Sequence, residues 1–121
     1  MVLEAIADRF AHISGSYTQN AVATFKQLIP AQDVKHVERI SMQFVNAGSN
    51  LHYVKVYGSC RMGTLGTVGG SDWTQIGDTI TVSGSQSSLK SISTTGLTGF
   101  AATASGTNTE SLPYDAIVQR L

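Results

Sequence analysis

From Val37 onward, apolar and polar side chains alternate with a period of two. In VERISMQFV the residues Ile40, Met42 and Phe44 share one face, and Ser41 and Gln43 share the other, the mark of a half-buried strand. The pattern returns in LHYVKVYGS, where His52, Val54 and Val56 oppose Leu51, Tyr53, Lys55 and Tyr57. It appears again in DTITVSG, with Ile80 and Val82 inward and Thr79, Thr81 and Ser83 outward, and in SSLKSIST, through Leu89 and Ile92. GFAATASGT is a weaker strand of small residues. In YDAIVQRL the residues Ala116, Val118 and Arg120 alternate with Ile117, Gln119 and Leu121. Asn46 to Asn50, NAGSN, has the composition of a hairpin connection, so the strands on either side of it are expected to pair antiparallel. Gly58 to Gly70 is dense in glycine and reads as a long, mobile loop.

The start of the chain has a different rhythm. Ile6, Phe10 and Ile13 recur at spacings of four and three, and Ser14 to Ser16, SGS, then stops the run, which predicts a helix of about three turns, too short to be stable alone. YTQNAVATFKQLI reads as a strand closed by Pro30. Short strands, regular turn signals and no shift in composition predict a mainly β chain. The expected architecture is a single antiparallel β-sandwich over residues 31–121, jelly-roll or Ig-like, preceded by an N-terminal arm with a short helix over residues 1–30.

Charge narrows the partners. Only 13% of the 121 residues are charged and the formal net charge is +0, whereas about a quarter charged is usual. Such a chain has no basic footprint for nucleic acid or for an anionic membrane surface. The single cysteine, Cys60, excludes an intrachain disulfide framework. MVLEAIADRFAH carries Glu4 and Asp8 inside its apolar stretch and lacks a basic leader, so synthesis and folding are expected in the cytoplasm.

Catalytic constellations are not apparent. The carboxylates are scattered, and His12, His36 and His52 lie on three separate segments. In DVKHVE, Asp33 and His36 are three apart and His36 and Glu38 two apart, spacings that suit a helix and a strand respectively and therefore no single metal site. GTLGTVGG lacks the Gly-Lys-Ser/Thr ending of a phosphate loop. No catalytic, cofactor-binding or metal-binding residue is assigned, and the protein is expected not to be an enzyme. The aromatic set Tyr53, Tyr57, Trp73 and Tyr114 would suit a glycan-binding platform, although a lone tryptophan in a small domain more often plugs the core or its rim.

YVKVYGS, a glycine-rich gap, DWTQIGDTITVSG and then LKSISTTGL together span Tyr53 to Leu97. This succession resembles the capsid decoration, or cement, proteins of tailed bacteriophages, with a strand ending in Tyr-Gly-Ser leading to Asp-Trp and a further strand. The resemblance implies a virion structural protein made in the host cytoplasm, a homotrimer seated on the outer face of the major capsid protein lattice, with the N-terminal arm locking neighbours. Tail or fibre placement, or a glycan-binding sandwich module, is the alternative. The apolar stripe of the expected helix, the Thr-rich face and the C-terminal strand make Ile6, Phe10, Ile13, Thr79, Thr81, Ile117 and Leu121 the expected subunit or capsid contacts. The last strand, Tyr114 to Leu121, is expected at a sheet edge in need of a partner.

Overall fold

The computed structural model describes residues 9–18, 25–106 and 111–121. These form nine strands: β1 (Phe10–Thr18), β2 (Lys26–Asp33), β3 (Val37–Val45), β4 (His52–Ser59), β5 (Thr74–Gln75), β6 (Ile80–Val82), β7 (Ser87–Ser93), β8 (Gly99–Gly106) and β9 (Ser111–Arg120). Sheet A has the order β1-β9-β3-β7, and sheet B the order β2-β8-β4-β5, with β6 also paired to β4. β5 and β6 act as one strand interrupted near Gly77, whose φ of 70° is open to glycine at little cost. Counted so, eight antiparallel strands pass back and forth between two sheets in jelly-roll order, which selects that topology over an Ig-like one.

The alternation in the sequence fills the space between the sheets. Ile40, Met42 and Phe44 of sheet A meet Val54, Val56 and Phe100 of sheet B, all 0–2% exposed. β8 supplies Ala102 and Ala104 between the larger side chains. The turns that join the layers bury their own polar groups. Asn46, 1% exposed, donates to the carbonyls of Asn50 (2.6 Å) and Val82 (3.1 Å), and Thr94 Oγ1 donates to the Val37 carbonyl at 2.9 Å.

Several expectations are corrected. Phe10–Thr18 is a strand, not the end of a helix; the part of the expected helix before Arg9 lies outside the described residues. Ala11, Ile13 and Tyr17 alternate with the exposed Phe10, His12, Ser14 and Ser16, and β9 offers an unbroken ladder from Phe10↔Gln119 to Thr18↔Ser111. Nine residues of tertiary pairing outweigh a marginal helical propensity. Pro30 does not end β2 but sits inside it, tolerated because β2 is an edge strand. β3 and β4 are not a hairpin: NAGSN carries the chain from sheet A to sheet B. β9 is not at an edge either, being hydrogen-bonded to β1 on one side and β3 on the other.

Candidate interaction surface

Register places the outward side chains of sheet A in rows across its four strands. Phe10, Gln119, Arg39 and Ser93 form one row; His12, Ile117, Ser41 and Ser91 the next; Ser14, Asp115, Gln43 and Leu89 the third. Among the described residues, four of the seven exposed large hydrophobics belong to this face: Phe10 (38% exposed), Val45 (40%), Leu89 (75%) and Ile117 (41%). Hydroxyls, Arg39 and a His12–Asp115 hydrogen bond lie between them. His12 Nε2 meets Asp115 Oδ1 at 2.8 Å, Ser41 and Ser91 share a 3.0 Å bond, and Arg39 Nη1 donates to Ser91 Oγ at 3.1 Å.

The outer face of sheet B is covered over β8. The glycine-rich segment after β4 does not hang loose but folds onto the sheet and is laced to itself. Arg61 pairs with Asp72 (2.9 Å), Asp72 accepts from the Gly66 amide (2.7 Å), and Trp73 Nε1 donates to the Gly66 carbonyl (3.0 Å). Leu65 and Trp73 press on Gly99 so closely that a Cβ there would lie 2.6 Å from Leu65 Cδ1 and 3.0 Å from the indole. Trp73 is therefore buried (6% exposed) outside the main core, in a small satellite cluster under the loop. β8, beneath, is buried along its whole length apart from a half-exposed Thr103.

The expected contact residues divide between these surfaces. Phe10 and Ile117 lie diagonally across the β1–β9 pair on the outer face of sheet A. Ile13 faces the other way and packs partly buried on the core. Leu121 is exposed just beyond β9. Thr79 and Thr81 are exposed at the other sheet, Thr81 opposite Tyr53 and Thr79 accepting from Gln75 Nε2 at 3.3 Å. Ile6 lies outside the described residues. Val45 and Leu89 were missed, yet Leu89 and Ile92 are three apart and cannot share one face of a regular strand. With Ile92 buried, Leu89 must point outward.

The aromatic residues do not make one platform. Tyr114 lies in the core at 4% exposure, its phenol pushed above the usual range by burial, and Trp73 is sealed by its loop. Only Tyr53 and Tyr57 remain part-exposed, on the outer face of sheet B. The histidines are dispersed in role as well as sequence: His12 is hydrogen-bonded to Asp115 at the surface, and His52 is fully buried with its Nδ1 2.8 Å from the Tyr17 hydroxyl. Burial pushes the Tyr17 pKa up to about 12. Among the described residues no three His, Cys, Asp or Glu side chains gather as metal ligands would.

A cleft of about 260 Å³ opens between the end of β2 and the covering loop, lined in part by Gln32, Asp33, Lys35, Arg61 and Thr98. Its polar groups serve one another. Asp33 accepts the Lys35 amide (3.1 Å), which holds its carboxyl below the usual range, and Thr98 Oγ1 donates to the Arg61 carbonyl (2.6 Å).

No protein-family model and no curated protein matches this chain. Solved structures share its fold. It is similar to the SPBc2 prophage-derived protein YomS, at 11% identity and TM-score 0.52 over 89% of this chain and 94% of that one. It is also similar to a chain from Bacillus endospore appendages, a family of disulfide-linked pili, at 14% identity and TM-score 0.53 over 93% of this chain and 88% of that one. At these identities the likeness is one of fold.

Proposed function

We propose that the protein is a non-enzymatic structural component of a phage virion, a head decoration protein that seats the outer face of sheet A on the major capsid protein lattice and stabilises it. The observation that carries this reading is that Phe10, Val45, Leu89 and Ile117, four of the seven exposed large hydrophobics among the described residues, share the outer face of sheet A. Exposed apolar side chains that gather on one face of a small domain suit a surface that meets another protein. Hydroxyl-bearing neighbours can be buried against a partner without stripping water from ions. A fold shared with a prophage-derived protein and with a pilus protein supports a structural setting.

Heating capsids with and without added protein tests the proposal directly. Added protein is expected to co-sediment with the capsids and to raise their disruption temperature. A double variant, Leu89→Ser with Ile117→Ser, is expected to stay folded and lose both effects. Capsids that neither bind the protein nor gain stability would overturn the reading.

A further inference from the structure

The four lateral edges of the sandwich end in different ways. In sheet B, β2 carries Pro30, which has no amide to donate, and its register against β8 shifts twice, between Gln27 and Ile29 and between Ile29 and Gln32. The opposite edge of that sheet is divided into β5 and β6, of two and three residues. In sheet A, Lys90 of β7 pairs with Met42, whose side chain is fully buried in the core. Lys90 thus stands on the core-facing side of the edge strand while remaining exposed. Proline, bulges, short strands and inward-facing charge are the devices that keep sheet edges from pairing with other chains.

β1 has none of them. It pairs with β9 over nine residues without a register shift, contains no proline, and its core-facing positions are Ala11, Ile13, Gly15 and Tyr17. Among the described residues its other side has no backbone partner.

We propose that this edge is an interface whose occupant is β1 of a second copy, running antiparallel about a two-fold axis at Ser14. Ser14 is the midpoint of Phe10–Thr18, so only a pairing centred there overlaps all nine residues. In that register Ala11 stands opposite the partner's Tyr17, Ile13 opposite the partner's Gly15, and His12 opposite the partner's Ser16. Each larger side chain meets a smaller one, and no two ionisable groups face each other, because His12 stands opposite a serine. The remaining edges are blunted, so β1 has no other edge of the same protein to join head to tail. The contact is isologous and closes at two copies; the three-fold arrangement implied by the resemblance would need a different interface. This inference stands whether or not the protein sits on a capsid.

Cross-linking tests it. Ser14 is exposed, so Ser14→Cys in a Cys60→Ser background is compatible with the fold. Directly opposed Cα atoms in an antiparallel pair are about 4.5–5.5 Å apart, within disulfide reach. The full-length protein is expected to sediment as a dimer, and Ser14→Cys to give a covalent dimer with oxidised glutathione, while Ser91→Cys on β7 gives none. Ala11→Lys, which copies on β1 the placement of Lys90, is expected to weaken the dimer by about tenfold or more with an unchanged circular dichroism spectrum. A monomer that forms no Ser14 cross-link would mean that the edge is covered by the chain itself and would overturn the proposal. An oligomer that cross-links through Ser91 and not Ser14 would overturn it as well.

Discussion

The two sheets share a core and differ in almost everything outside it. β8, central in sheet B, is buried nearly from end to end, whereas β9, central in sheet A, alternates buried and exposed residues from Ser111 through Ile117. The cause is local. Sheet B is overlaid by the Arg61–Trp73 loop, which gives its central strand a second apolar layer, and small residues such as Gly99 and Ala101 make room for it. Sheet A has no such cover among the described residues and leaves apolar side chains in water. Within one domain, one sheet gains a second layer from the chain itself and the other presents its outer side chains to water.

Removing the cover of sheet B is the largest test of that difference. Trp73→Ala deletes the indole pressed on Gly99 and its bond to the Gly66 carbonyl, and is expected to cost about 3 kcal/mol in urea unfolding. Protease cleavage within residues 61–72 should rise in the same variant. A cost below about 1 kcal/mol would show that the loop is decoration and not a layer.

The joint between the sheets can be titrated. The bond from Tyr17 of β1 to His52 of β4 crosses the sandwich, and burial holds the phenol neutral up to about pH 12. Because the folded pKa lies above the ordinary value of 10.0, the contribution of Tyr17 is complete below about pH 10 and is lost as pH rises toward 12. The loss is on the order of 2 kcal/mol. Stability measured by denaturant between pH 9 and 12 should therefore fall, and Tyr17→Phe should flatten that part of the curve.

The smallest effect on stability belongs to the face proposed to bind. Ile117→Ser or Leu89→Ser should each change unfolding free energy by no more than about 0.5 kcal/mol, because the side chains are already exposed. Either substitution costing as much as a core change would place that face inside the fold's own packing.

Much of the sandwich was legible because period-two alternation is written directly by a two-sided strand. Ile40, Met42 and Phe44, or His52, Val54 and Val56, declare their face without any tertiary knowledge. Pairing partners were not legible: NAGSN has the composition of a hairpin whether the next strand joins the same sheet or the opposite one, and the ladders that hold β4 in sheet B come from β6 and β8, far along the chain. β1 was misread because Ile6, Phe10 and Ile13 also fit a helical stripe, and the ladder that overrules it comes from the far end of the chain. Of the contact residues, Phe10 and Ile117 fall on a common face, while Leu89 was hidden by reading it in phase with Ile92. The covering loop gave no signal beyond its glycines, since what orders it is the reach of Asp72 to Gly66 and Arg61.

On the proposed β1 pairing, Lys90 sets how far the assembly can grow. An object with one pairing edge has a valence of one and stops at a closed pair; an object with two compatible edges on the same sheet has a valence of two and polymerises without limit. The ammonium group on the core-facing side of β7 is what separates these cases. An apolar residue in its place would give sheet A a second open edge opposite β1, and the finite pair would become a repeat unit of a fibre.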